Sequence, residues 1–158
     1  EEHRNGDVEF ICVDKDKDCI KLGRELVHNE KIKNIKFIKA DIFHIQHIKK
    51  MAAKINWIPN VVIASGFFIY FNNDIVEKMI EEIYKILPPE GMLIFSSYED
   101  LTSRKLMRKA MSTTNGEKWT LYYRKPDYWR LLLYRIGFKD IFILRDKWQM
   151  NNICTARK

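Results

Sequence analysis

The sequence predicts an α/β fold: an open, mostly parallel sheet with helices on both faces. Three observations carry that reading. Strand-like and helix-like patterns alternate along nearly the whole chain, ending in a helix and two closely spaced strands. The first strand is a near-continuous apolar run, as expected where both sheet faces are covered. The first two strands, VEFICVD (8–14) and IKFIKAD (35–41), each end on an aspartate. In open α/β sheets, ligands bind outside the carboxyl ends of the strands, where an acid accepts hydrogen bonds from sugar hydroxyls.

The elements follow in order. After the strand at 8–13, Asp16 or Asp18 caps a helix running to about Glu30, with Ile20, Leu22, Leu26 and Val27 as its apolar side. The strand at 35–40 has Phe37 on its buried side. A weaker helix is predicted over 47–56. The β-branched stretch NVVIA (60–64) forms the third strand, broken by Ser65-Gly66. Residues 74–87 form the clearest helix, with Ile75, Met79, Ile83 and Ile86 at helical spacing and Asp74 with Glu77 as a capping box. Pro88-Pro89 stops it before a strand at 92–95. Residues 101–111 read as a basic helix, 113–118 as a loop and 119–123 as extended chain. Pro126 opens the last helix and Gly137 closes it. Strands at 141–144 and 153–156 complete the chain.

A chain of 158 residues is long enough for one domain with a real core. No apolar run approaches the roughly 20 residues that cross a bilayer. Cys12, Cys19 and Cys154 have no metal-type spacing, and no metal site is expected. Cys12 and Cys154 read as buried reduced thiols, consistent with a cytoplasmic setting. The net charge of +7 is uneven: residues 1–100 hold 14 Lys/Arg and 17 Asp/Glu, residues 101–158 hold 14 and 4. A basic half attracts acidic substrates or nucleic acid, although its charges alternate with apolar residues as on amphipathic elements.

Laid end to end, ICVDKDKDCIKLG, FIKADIF, NVVIASGFFIYFNND, ILPPEGMLIFSS and LLLYRIGFKDIFIL resemble the second to sixth strand segments of the class I S-adenosylmethionine-dependent methyltransferases. That resemblance implies a Rossmann-like sheet with an antiparallel last strand. A narrower resemblance is to the methyltransferase family sometimes fused to a hydrolase domain. It rests on Trp119, Arg124, Gly137-Phe138, and Asp146 with Trp148. The stretch SSYEDLTS departs from that family's proline- and histidine-containing loop. The fold's first, central strand and its glycine-rich turn are absent: Gly6, Gly23, Gly66, Gly91, Gly116 and Gly137 are scattered. The expectation is a single methyltransferase-like domain over 1–158, the C-terminal portion of a longer catalytic domain, with a gap between the two strands that flank the absent one.

The resemblance implies S-adenosyl-L-methionine as cofactor and assigns roles. Asp14 takes the ribose hydroxyls, with Lys15 beside the adenine edge. Asp41 meets the adenine amino group and Ile42 its ring. Ser65 and Gly66 open toward the reacting methyl, with Phe67, Phe68, Tyr70 and Phe71 as an apolar wall. Tyr70, Trp119 and Arg124 are candidate substrate-facing residues, Arg124 for a carboxylate or phosphate. His44, His47, Tyr70, Tyr98 and Glu99 are candidates for a base, and none is singled out. The expected function is methyl transfer to a small-molecule or lipid-like acceptor. The alternatives are a non-catalytic interaction domain, or an RNA methyltransferase using the basic half.

Overall fold

A computed structural model describes residues 8–44, 50, 53, 57–98, 121–145 and 151–158. The chain divides into two compact units, Glu1–Asn56 and Trp57–Lys158. The helices expected over 47–56 and 101–111 lie outside the described residues, apart from 50 and 53, as do Trp119, Asp146 and Trp148.

In the first unit, β1 (Phe10–Asp14) and β2 (Ile35–Lys39) pair in parallel through helix α1 (Lys17–Asn29). Asp16, not Asp18, caps α1: its Oδ1 accepts from the amides of Asp18 (2.7 Å) and Cys19 (3.3 Å). The inward stripe is Ile20, Gly23 and Val27, spaced three and four apart. The expected apolar positions Leu22 and Leu26 point to solvent, because they fall about 160° and about 120° around the helix from Ile20. Gly23 lets α1 approach β2 closely, since a Cβ there would lie 2.4 Å from the Phe37 ring. The expectation that β1 is covered on both faces fails. Phe10 and Cys12 are exposed on one side, and Ile11 and Val13 are half-buried on the other.

The second unit carries a four-stranded sheet in the order β3 (Val61–Ala64), β4 (Met92–Ser97), β6 (Asn152–Arg157), β5 (Lys139–Arg145). β3 and β4 are parallel, and β6 runs antiparallel to both β4 and β5, so the last strand alone is reversed. Helix α2 (Asn73–Ile86) is capped by Asn72, whose Oδ1 accepts from the Ile75 amide at 3.0 Å. The cap thus falls two residues before the predicted Asp74. Helix α3 (Pro126–Ile136) begins on Pro126 and ends on a left-handed Gly137 (φ 111°), as the sequence predicts. The Lys158 ammonium donates to the carbonyls of Tyr84 and Leu87, both at 2.7 Å, and closes the C-terminal end of α2.

The two faces of this sheet differ. Leu93, Phe95, Ser97, Cys154 and Ala156 share one face and are buried. Trp129 of α3 packs edge-on against Phe95 at 4.7 Å and near Phe68 at 5.9 Å. The opposite face includes Ile63, Ile94, Thr155 and Phe142, aligned across all four strands. Ile63 (64%), Phe142 (60%) and Leu144 (65%) are largely exposed there.

Candidate functional site

In the first unit the parallel register brings the two strand ends together. Asp14 is the Cα partner of Lys39, and the Ala40 amide donates to the Asp14 carbonyl at 3.0 Å. Asp41 therefore follows at the same edge, and the turn Ile42–His44 begins there, with the His44 amide donating to the Asp41 carbonyl. Asp14 is exposed. Its Oδ1 accepts from the Asp16 amide at 2.9 Å, which orients the carboxylate within a tight turn. Lys15 is exposed, and Asp41 and Ile42 are half-buried. Asp14, Asp16 and Asp18 crowd this edge with negative charge. They hold the Cys19 thiol above its ordinary pKa, Asp16 most strongly.

In the second unit the chain leaving β3 turns at Ser65-Gly66. Gly66 has φ 63°, a conformation that costs most residues about 1–2 kcal/mol. Its amide donates to Ser96 Oγ at 2.7 Å, and Ser65 Oγ lies 3.4 Å from the same hydroxyl. The turn is thereby fastened to the carboxyl end of β4. A Cβ at Gly66 would sit 3.8 Å from the Tyr98 hydroxyl, which places that candidate base beside the turn. Of the expected apolar wall, Phe68 is fully buried, Phe67 and Phe71 are half-buried, and Tyr70 is exposed. Core packing therefore claims Phe68.

Arg124 differs from expectation. Only 6% exposed, it is directed at the protein itself. Nε donates to Asn73 Oδ1 (2.9 Å), Nη1 to the carbonyls of Phe68 (3.1 Å) and Tyr122 (3.3 Å), and Nη2 to that of Phe71. Its guanidinium lies 5.4 Å from the ring centroids of Tyr128 and Trp129. Burial pushes its pKa below the ordinary arginine value, with Tyr128 and Tyr122 acting the other way. Sequence reasoning also missed Ser96 and Asn73. Paired serines at the end of an apolar strand were the available signal for the first; nothing marked the second.

Asp14, Lys15, Asp41 and Ile42 are thus gathered at one strand edge, Ser65 and Gly66 on the turn that leaves β3, and Tyr70 on the short helical turn Phe68–Tyr70 that follows. Among the described residues no group of three His, Cys, Asp or Glu is placed to hold a metal ion, and no helix is long and apolar enough to cross a membrane.

The parallel strand pair with acids at its carboxyl edge, and the sheet with one reversed strand, define the class: a Rossmann-like fold of the class I methyltransferase type. The chain belongs to the family described as "Putative methyltransferase", whose sequence pattern matches residues 5–158. No curated protein matches it. Among solved structures, it is similar to the S-adenosylmethionine-dependent methyltransferase SibL (TM-score 0.72, 11% identity, covering 96% of this chain and 43% of SibL). It is similar to magnesium protoporphyrin IX methyltransferase from Synechocystis PCC 6803, solved with bound S-adenosylhomocysteine (0.64, 15%, 96% and 64%). A Bordetella parapertussis protein described as a possible exported protein also matches (0.67, 17%, 96% and 53%). The chain spans about half the length of these relatives. At such identities the likeness shows the fold.

Proposed function

We propose that the protein is an S-adenosyl-L-methionine-dependent methyltransferase acting on a small-molecule or lipid-like acceptor. The observation that carries this reading is the pair of aspartates on adjacent parallel strand ends, Asp14 exposed and Asp41 half-buried. They suit the two polar features of an adenosine. A carboxylate with two acceptor oxygens suits a vicinal diol, and Asp14 is already oriented through Oδ1 by the Asp16 amide. With the cofactor bound, Asp41 would accept from the adenine amino group, Ile42 would offer its apolar side chain to the ring, and Lys15 would flank it.

When bound, the cofactor supplies an electrophilic methyl on a sulfonium. The chain's own residues bind, orient and exclude water. The family resemblance gives Ser65 and Gly66 a role toward the methyl-bearing end, and Tyr70 and Trp119 a role toward the acceptor. A preset alignment of acceptor and methyl supplies much of the rate in such a displacement. Tyr98 is the candidate for holding an acceptor proton, because its hydroxyl lies beside the Gly66 turn.

Residues 1–158 are further read as the C-terminal portion of a longer catalytic domain. Three observations support this. The chain spans 43–64% of the relatives named above. β1 and β3 each have an outer edge with no strand partner among the described residues. The sheet of the second unit leaves Ile63, Phe142 and Leu144 exposed on one face. The three free cysteines support a reducing, cytoplasmic compartment.

The test is transfer from methyl-tritiated S-adenosylmethionine, catalysed by the full-length protein, into fractionated metabolite, lipid and RNA extracts. Label in a metabolite or lipid fraction is expected. Label in RNA that falls steeply as salt rises would move the reading to the nucleic-acid alternative. Label in no fraction, with no cofactor binding, would leave an interaction domain.

A further inference from the structure

Two fasteners hold the chain that leaves β3. One is Ser96, whose hydroxyl takes the Gly66 amide at 2.7 Å. The other is Arg124, 58 positions further along the chain than Gly66. Its guanidinium reaches the carbonyl of Phe68 at the start of the turn Phe68–Tyr70, that of Phe71 just past its end, and Asn73 Oδ1 at the first residue of α2. The same group donates to the Tyr122 carbonyl, and the Tyr122 amide donates to the Ile69 carbonyl at 2.8 Å. Residues 121–124 therefore run alongside the turn and are bonded to it by both backbone and side chain.

This arrangement is costly unless its hydrogen bonds are well satisfied. A buried guanidinium gives up its hydration, and none of its hydrogen-bond partners named above is a carboxylate. Neutral carbonyls and the rings of Tyr128 and Trp129 replace the lost water. Only a planar fork satisfies acceptors spread over Phe68, Phe71, Asn73 and Tyr122 at once. Tyr70 is left at the surface of the turn that this fork holds.

We propose that Arg124 is a positioning residue that fixes residues 68–71 as a rigid wall on the acceptor side of the methyl-transfer site. It rests on the methyltransferase reading. Arg124 acts through the turn and through Tyr70, and touches neither acceptor nor cofactor. It therefore sets how well the acceptor is held and aligned, and leaves cofactor affinity to the strand edge at Asp14 and Asp41.

Arg124→Lys in the full-length protein tests this, because the charge and the aliphatic stem remain while the fork is lost. Hydrogen exchange is measured by mass spectrometry on wild type and variant. The expected result is exchange at least 10-fold faster in peptides covering 68–71 and 121–123, with α3 and β4 unchanged. Kinetics with the labelled acceptor fraction should show its KM rising about 10-fold or more, with the KM for S-adenosylmethionine within 2-fold. Uniformly faster exchange, no change in exchange, or both KM values rising together would overturn the proposal. Asn73→Ala removes one acceptor and serves where Arg124→Lys fails to fold. It should loosen the same peptides more weakly, and an unchanged exchange pattern there would count against the fork. Absence of any transfer by wild type would sink the methyltransferase reading, while the exchange data would still decide whether Arg124 fixes the turn.

Discussion

The two units have the same kinds of parts and invest them differently. In the first, a parallel strand pair under one helix buries a single apolar residue fully among the described ones, Ile20. In the second, Phe68, Ile80, Ile83, Leu93, Phe95, Trp129 and Leu133 form a dense interior with 0–1% exposure. The groups proposed to bind adenosine sit in the thinly packed unit. The turn proposed to face the acceptor sits in the well-packed one, held by Arg124. Binding carboxylates tolerate a light core because their position follows from strand register and one Asx turn. An acceptor wall on a loop needs a core behind it, since loops carry little order of their own.

The largest expected effect breaks this contrast at its strong end. Trp129→Ala removes a ring packed on Phe68 and Phe95, at a cost of about 3–5 kcal/mol. Urea unfolding followed by exchange should show β4 and β6 losing protection first. Next comes alkaline pH. Burial pushes the Cys154 thiol up to about 12, from 9.0, although Ser97 and Arg130 oppose the rise. A raised folded value stabilises fully below the unfolded value and is lost as pH climbs through the folded one. The second unit should therefore lose stability between about pH 9 and 12, and Cys154→Ala should flatten that decline. Melting temperature against pH for both proteins checks it. Iodoacetamide at pH 8 should label Cys12 and Cys19, both exposed, before Cys154.

A smaller effect sharpens the contrast from the weak side. Gly23→Ala places a Cβ against the Phe37 ring and should cost about 1–3 kcal/mol, confined to the first unit. Phe37→Leu in the same chain should recover part of it, as read by exchange in β1 and β2.

Much of the fold was legible because its signals are local. Pro126 and Gly137 bound the last helix through their own backbone chemistry, and the apolar runs of 61–64 and 92–95 mark adjacent parallel strands. Asp14 and Asp41 were legible as strand-ending acids; their shared edge follows from parallel pairing alone. The role of Arg124 was not legible. Its acceptors are mostly backbone carbonyls some 50 residues away, and carbonyls carry no residue identity. The exposure of Leu22 and Leu26 follows from their angle around α1, which an inventory of apolar residues does not carry. Asn72 and Asp74 are both capping side chains, and only chain geometry chooses Asn72.

The central claim is that the edge at Asp14 and Asp41 holds the cofactor's adenosine. Isothermal titration of S-adenosylhomocysteine into the full-length protein, its Asp14→Asn variant and a Glu9→Gln control tests it most directly. The substitution keeps the Asx oxygen that takes the Asp16 amide, so the melting temperature should hold. Affinity should fall about 10- to 150-fold, the loss expected when a charge-assisted hydrogen bond of about 1.5–3 kcal/mol is removed. The control should match wild type. Equal affinity in wild type and Asp14→Asn, or no binding by either, would contradict the account.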